Sequence, residues 1–350
     1  MPTCIYCLRS APTCGFNVEH VIPEALGSFH NNLTLSDSEV CQDCNQFFGD
    51  TLDRMLTRDS YEALLRIEHG LKDTAEVGGM FRERVTVRLP ADATRWGGAI
   101  LRLRPHPDGG ASRPVVDLVP QVGFERKDSG GWDYIAEAEL RTEPGIAERV
   151  SRSYGKHRVI LFDTDDARER LLAILGEVGI PFKKEEEFHG FPPFAGGEVT
   201  AEVQARFDAY LARAVCKIAF NYMAKTQGAE FALRSEFNAA RRHVRHGEGK
   251  GGAFLTFDEG TRFRSASGQQ RRMTAHTLTL DWNGSRDELI GHVHLFGVTQ
   301  YAVRLCAKWS GIWREVMSGH VFDLESREVT PLKVTKIAPP WAGVPVRVRR

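Results

Sequence analysis

The 350-residue chain contains no apolar run near the roughly 18–20 residues needed to cross a bilayer. Its first residues, MPTCIYCLRS, lack a basic segment followed by an apolar core. These absences speak against a membrane partner and a secretory leader. The expectation is a cytoplasmic protein whose thiols stay reduced. Cysteine is scarce, at seven residues, and an odd number without a leader argues against a disulfide framework. Net charge is also absent, since 46 Lys and Arg balance 46 Asp and Glu. There is no internal repeat and no long low-complexity stretch.

What is present is unevenly placed. Five cysteines, Cys4, Cys7, Cys14, Cys41 and Cys44, fall in the first 44 residues, leaving Cys216 and Cys306 elsewhere. Residues 1–60 carry three basic side chains (Arg9, Arg54, Arg58) against eight acids, a net −5. Residues 201–350 carry 23 against 14, a net +9. A nucleic-acid partner would therefore draw most of its phosphate attraction from the C-terminal part.

Local patterns give the expected elements. RDSYEALLRIEHG (58–70) reads as a helix ended by Gly70. From about 80 to 163 the chain is mostly strand: FRERVTVRL, AILRLRP and WDYIAEAEL alternate at period two, and RVILFDTDD is a short buried strand. DARERLLAILGEVGI is a helix, and GFPPFAGG (190–197) is a break. TAEVQARFDAYLARAVCKIAFNYMAKTQG reads as one long amphipathic helix closed by Gly228. A second helix covers about 229–246, and strands follow: GAFLTF, AHTLTLDW, GHVHLFG, QYAVRLCAKW and GHVFDL. The tail WAGVPVRVRR reads as loose and basic.

Cys4/Cys7 and Cys41/Cys44 form C-x2-C…C-x2-C. Four thiolates at such spacing suit a tetrahedral structural zinc. The 33 residues between the pairs are more than the commonest zinc ribbons hold, so something is looped out. That insert contains NVEHVIPEALGSFHNNLTL. NVEHVI reads as a strand, Pro23 as the start of a turn and NLTL as a second strand. From Cys41 the chain is helical, with Phe48, Leu52 and Met55 or Leu56 on one face. The unit is strand, loop, strand, helix, clipped by metal. Asn45 falls in the first turn of the clipped helix, where it can face Glu19 and His20.

Glu19-His20-Val21-Ile22-Pro23-Glu24-Ala25-Leu26-Gly27, followed by Val40-Cys41, Cys44-Asn45, Phe48-Gly49 and Asp53, resembles the HNH, or ββα-metal, endonucleases. The resemblance is to the subclass with two CxxC zinc knuckles, and it covers about residues 4–53. It implies an α+β fold: a small zinc-clipped ββα-metal nuclease module at 1–57 and a connecting helix at 58–75. A larger α+β target-recognition or regulatory region with antiparallel strands follows at 76–350, with a candidate sub-boundary near 190–200. It also implies a metal-dependent phosphodiester hydrolase. His20 would be the general base, a task that a neutral imidazole suits. Glu19 and Asn45 would hold one Mg²⁺ or Mn²⁺ ion, whose remaining positions water and phosphate fill. Asn32, in preference to Asn31, would orient His20. Neighbours on a strand point to opposite faces, so Glu19 and His20 converge only if the backbone bends.

Other features have plainer readings. Cys14 reads as a bystander thiol, His30 as a loop residue, and Gly49 as a site of close backbone packing. Asp53, two turns along from Asn45, reads as a packing residue or a neighbour of the ion. Residues 234–272 are basic. Arg241, Arg242, Arg245 and Lys250 are the candidate nucleic-acid contacts, weighed against a merely solvated face. GEGKGG lacks the GxxxxGK[ST] order of a phosphate loop. His292 and His294 share a strand face and read as ordinary strand residues. The leading expectation is a DNA endonuclease whose C-terminal region selects a sequence, a modified base or a branched structure, with restriction or phage defence as the role by analogy. Double-strand cutting would call for a homodimer, because one site cuts one strand. The alternatives are a zinc-stabilised nucleic-acid-binding protein without catalysis, and an RNA-cutting nuclease.

Overall fold

The computed structural model describes residues 1–72, 80, 84–91, 94–104, 115–183, 200–257, 274–283, 287–308 and 318–332. The Pro/Gly break at 190–197, the basic residues 262–272 and the tail lie outside them. The protein is α+β with antiparallel sheets throughout. Contacts group residues 1–71 with 207–350 as one unit and 72–206 as a second. The divisions at 57, 75 and 190–200 are drawn along the chain, whereas this grouping is drawn in space.

The first unit opens with a hairpin of two-residue strands, β1 (Glu19–His20) and β2 (Thr34–Leu35), which pair antiparallel. Helix α1 (Gln42–Phe47) starts directly after Cys41. It runs into a π-helical stretch, Phe48–Asp53, and then α2 (Arg54–Arg58). Phe48, Leu52 and Leu56 are all fully buried along this run. Gly49 does not follow the close-packing expectation: a Cβ there would meet nothing within 4 Å. Helix α3 (Tyr61–Glu68) is capped by Ser60, whose hydroxyl accepts from the Ala63 amide at 3.2 Å, satisfying one of the first-turn N–H groups. Gly70 follows in the left-handed region at φ 64°, which glycine adopts without cost.

The second unit holds two antiparallel sheets. One is ordered β5-β4-β3-β9, from β3 (Val85–Arg88), β4 (Ile100–Arg104), β5 (Val115–Leu118) and β9 (Glu202–Ala205). The other is β7-β6-β8, from β6 (Gln121–Arg126), β7 (Trp132–Ala136) and β8 (Tyr154–Leu161). WDYIAEAEL is strand only as far as Ala136. The chain then turns into α4 (Glu137–Thr142), with Leu140 buried and α5 (Ile146–Ser153) next. Helix α6 (Asp165–Glu177) is capped by Thr164 and buries Leu171, Ile174 and Leu175. A cleft of about 670 Å³ is lined by Arg88, Arg126, Arg149 and Trp132 among others. Its arginines are largely answered within the protein: Arg149 pairs with Glu143 at 2.7 Å and Arg88 donates to the Gly98 carbonyl at 2.9 Å.

The first unit resumes with α7 (Ala209–Gln227), not at residue 200 as the single-helix reading has it, because Glu202–Ala205 is strand β9. Asp208 fixes the start by accepting from the amides of Tyr210 and Leu211. Residues 211–224 of α7 are buried on every side, which is why it is not amphipathic in the expected one-faced sense. A helix walled in all round must find partners for its polar side chains inside the protein. After it come α8 (Ala229–Ala232) and α9 (Asn238–His246), separated by a turn where one helix was expected.

A six-stranded antiparallel sheet completes the unit, in the order β10-β13-β12-β11-β14-β15. Its strands are β10 (Leu255–Phe257), β11 (Ala275–Asn283), β12 (Glu288–Leu295), β13 (Thr299–Cys306), β14 (Ser318–Asp323) and β15 (Val329–Pro331). One continuous apolar core takes in Ile5, Tyr6, Leu26 and Phe48 of the cysteine-rich module, Ile218 and Phe220 of α7, and Leu278, Val293 and Phe322 of the sheet. The module and the C-terminal sheet therefore share a core through α7.

Candidate metal and catalytic centre

The sulfurs of Cys4, Cys7, Cys41 and Cys44 all lie within 4.8 Å of one another. A tetrahedral zinc with Zn–S near 2.3 Å sets sulfurs about 3.8 Å apart, so the set fits that ion. The Cys4 thiol is pulled down to about 4, chiefly by its hydrogen bond with Cys44, whose own pKa that bond pushes up. Sulfurs crowded enough to share protons are sulfurs a cation can bridge. Cys41 sits at the start of α1 and its amide approaches the Cys4 sulfur at 3.4 Å, joining the two knuckles. Arg9 adds a positive charge outside them: Nε reaches the Cys7 sulfur at 3.4 Å while another nitrogen pairs with Asp43 at 2.5 Å. Cys14 stands outside the cluster as a free, partly buried thiol.

Asn45 ties the flank of the hairpin to α1. Asn45 Nδ2 donates to the Val18 carbonyl at 2.8 Å and to Asn17 Oδ1 at 3.0 Å, immediately before β1. Both amide hydrogens point to the strand, so Oδ1 is the end left for another partner. On the hairpin, Glu19 faces Leu35 and His20 faces Thr34. His20 Nδ1 lies 3.1 Å from the Asn32 side-chain nitrogen. Asn31 is used differently: its amide donates to the Val329 carbonyl at 2.8 Å and accepts from the Val329 amide at 2.7 Å. It thus stitches the loop to β15, and Asn32 is the asparagine at His20. Asn32 Oδ1 is buried without a hydrogen-bond partner. Two arrangements meet the geometry at His20. Either the amide N–H donates to a bare Nδ1, or the amide is turned over and Nδ1–H donates to Oδ1.

Glu19 is buried, at 4% exposure, and its carboxylate is engaged by α7. Lys217 Nζ lies 2.6 Å from Glu19 Oε1, and 2.8 and 2.7 Å from the two oxygens of Asp53. Asn221 donates to the same Glu19 Oε1 at 3.2 Å and to the His20 carbonyl at 3.1 Å, and it accepts from the Tyr6 hydroxyl at 2.5 Å. Burial pushes the Glu19 carboxyl above its usual range, with the Lys217 charge opposing. Lys217 remains a cation, held so by the two carboxylates against its own burial. Asp53, read as either packing or ion-adjacent, is the second counter-ion of Lys217. The candidate site is thus drawn together around one dipeptide: Asn45 at its N-terminal flank, Asn32 at the imidazole, Lys217 and Asn221 at the carboxylate.

Of the expected nucleic-acid contacts, Arg241 is corrected. It is 1% exposed and donates to the carbonyls of Ala232 and Arg234 and to Asn238 Oδ1, so it braces the turn between α8 and α9. An arginine needs such partners once it is buried. Arg242 is exposed and pairs loosely with Glu248 at 3.4 Å, and Lys250 is exposed. Arg245 stacks over the Phe47 ring at 4.4 Å, with Arg213 near the same ring at 5.3 Å. Phe47 lies two residues after Asn45, so the basic end of α9 adjoins the helix of the candidate site.

Sequence reasoning missed Lys217, Asn221 and His276. His276 is fully buried: its Nε2–H donates to the Leu26 carbonyl at 2.9 Å and its Nδ1 accepts from the Phe296 amide at 3.0 Å. It bolts the PEALG loop to the sheet. The available signal was Lys217 and Asn221, one turn apart amid the apolar Val215, Ile218, Ala219 and Phe220 of α7.

Residues 4–60 match the sequence model of the HNH endonuclease family. No curated protein and no solved structure matches the chain. The matched segment holds the four-cysteine cluster and the Glu19–His20 hairpin, and it points to a nuclease acting on nucleic acid with a divalent metal. Among the described residues, no helix is long and apolar enough to cross a membrane.

Proposed function

We propose that this protein is a divalent-ion-dependent DNA endonuclease. His20 is the general base, Asn32 its orienting partner, and Glu19 with Asn45 the ligands of one Mg²⁺ or Mn²⁺ ion. The observation that carries this reading is the contact between Asn32 and His20 Nδ1 at 3.1 Å, on a hairpin that Asn45 pins to the zinc-clipped helix. With the Asn32 amide turned so that Nδ1–H donates to Oδ1, Nε2 keeps its lone pair for a water proton. An oxygen of Glu19 and the Asn45 carbonyl oxygen form a hard donor set that suits Mg²⁺ or Mn²⁺ and leaves positions for water and phosphate. The ion would polarise the phosphoryl oxygen and stabilise the leaving oxygen.

Arg245, beside the helix of Asn45, with the exposed Arg242 and Lys250, supplies positive charge for the phosphate backbone. Target choice, including modified or branched DNA, belongs in this reading to the chain beyond the module. Restriction or phage defence is the role that fits a nuclease with a separate reading region, and a homodimer would serve double-strand cutting. The test is plasmid nicking with Mg²⁺ or Mn²⁺, with RNA as competitor. Wild type should cut and His20→Ala should lose activity by about 10²-fold or more, the usual worth of a general base. Equal cutting by both proteins removes His20 from the mechanism, and preferential cutting of the competitor makes RNA the substrate.

A further inference from the structure

The Lys217 ammonium has three hydrogens, and three carboxylate oxygens lie within 2.8 Å of it: Glu19 Oε1 and both oxygens of Asp53. It is 0% exposed and lies over the Phe48 ring at 5.5 Å. Asn221 follows one turn later on the same face of α7. It supplies a second donor to Glu19 Oε1 and a donor to the His20 backbone carbonyl, while Tyr6 fixes its own oxygen. The two side chains of α7 therefore grip adjacent residues of β1, one on a carboxylate and one on carboxylate and backbone together.

We propose that Lys217 and Asn221 are positioning residues of the nuclease centre, holding Glu19 by Oε1 so that its carboxylate is presented to the divalent ion in one orientation. This rests on the nuclease reading above. A free glutamate has two further rotatable bonds and would have to be ordered by the ion itself. With Oε1 taken by two donors, that ordering is already built into the protein. The charges also suit the task. Glu19 and Asp53 together carry −2, and Lys217 returns the cluster to −1, the charge that one carboxylate would bring. The ion site is thus completed by a helix some two hundred residues beyond the motif, and the 4–60 segment alone does not contain it.

The test measures Mn²⁺ affinity of the full, zinc-loaded chain by titration and electron paramagnetic resonance, with melting temperature and zinc content as controls of the fold. Glu19→Gln comes first. If Mn²⁺ binds wild type no more tightly than Glu19→Gln, Glu19 holds no ion; the ligand assignment falls and this proposal with it. If Glu19→Gln weakens binding, the decisive protein is the double variant Lys217→Met, Asp53→Asn. It keeps the net charge of −1 but removes the charged half of the grip on Oε1, leaving only the Asn221 donor. The expected result is wild-type zinc content with Mn²⁺ binding weakened about ten- to a hundred-fold, the range for groups that orient a metal ligand. Wild-type affinity in this variant overturns the proposal, since Lys217 would then be only a counter-ion for Asp53. If the double variant does not fold, Asn221→Ala decides: it leaves the ion pair intact, and unchanged Mn²⁺ affinity overturns the positioning role.

Discussion

The two units bury very different things. Among the described residues, every buried polar or charged side chain but one lies in the first unit, from Glu19 and Glu62 to Lys217, Arg241, His276 and His292. The exception in the second unit is Gln121, which bridges two sheets: it donates to the Ile100 carbonyl at 2.8 Å and accepts from the Ile100 amide at 2.7 Å. The second unit's ion pairs are at the surface, as with Arg104 and Asp117, whose side chains are 49% and 28% exposed. A buried charge is expensive unless paired, and apolar packing of the same shape often does as well. One unit is therefore held by ordinary burial, and the other keeps a polar interior of which the Glu19, Lys217 and Asn221 cluster is one part.

Metal removal should break this contrast most strongly. Stripping the zinc by chelation at neutral pH, or replacing Cys44 by Ser, should unfold the cysteine-rich module, because structural zinc is worth on the order of 10 kcal/mol to small modules. Circular dichroism with zinc analysis checks this, and an unchanged melt would mean that α7 alone holds the module. Next comes Lys217→Met, which leaves the buried Glu19 and the half-buried Asp53 without their cation. It should cost about 3–5 kcal/mol in denaturant unfolding. A loss under 1 kcal/mol would place the carboxylates in contact with water.

A third effect follows from pH. Burial holds His276 down to about 4, against about 6.5 in an unfolded chain. The folded state resists the proton, so stability is full above about pH 6.5 and falls as pH drops towards 4. The limit of this loss is about 3 kcal/mol. His276→Gln should flatten that slope, read from unfolding midpoints across the window, and an identical slope would assign the acid sensitivity elsewhere. The smallest effect should come from the second unit, where Asp117→Ala removes only a half-exposed pair and should cost less than about 1 kcal/mol. A larger loss would show that this unit, too, depends on its polar contacts.

Much of the first 60 residues was legible because its chemistry is local. CxxC spacing, the EH dipeptide and Asn45 lie within one short segment, and zinc geometry allows few arrangements. Asn32 could be preferred to Asn31 from its place before β2. Lys217 was not legible, because a lysine in a helix is ordinarily a solvated residue, and only the sheet on one side and the module on the other make it buried. His276 was missed for the same reason, its partners being Leu26 and Phe296. Arg241 misled in the opposite direction, since an arginine in a basic run gives no local sign that it caps a turn. The sheet order β10-β13-β12-β11-β14-β15 also has no local signature, because β14 returns to pair with β11 across the intervening strands.

The shared core has a consequence for synthesis. Chains emerge N-terminus first, and domains generally fold as units. Residues 1–71 leave the ribosome before α7 exists, so for the length of 135 further residues Glu19 has no Lys217 and Asn31 has no Val329 to stitch to. Phe48, Leu52 and Leu56 have no helix to lie against in that interval. A message broken before codon 207 yields the cysteine-rich module without the helix whose Lys217 grips Glu19.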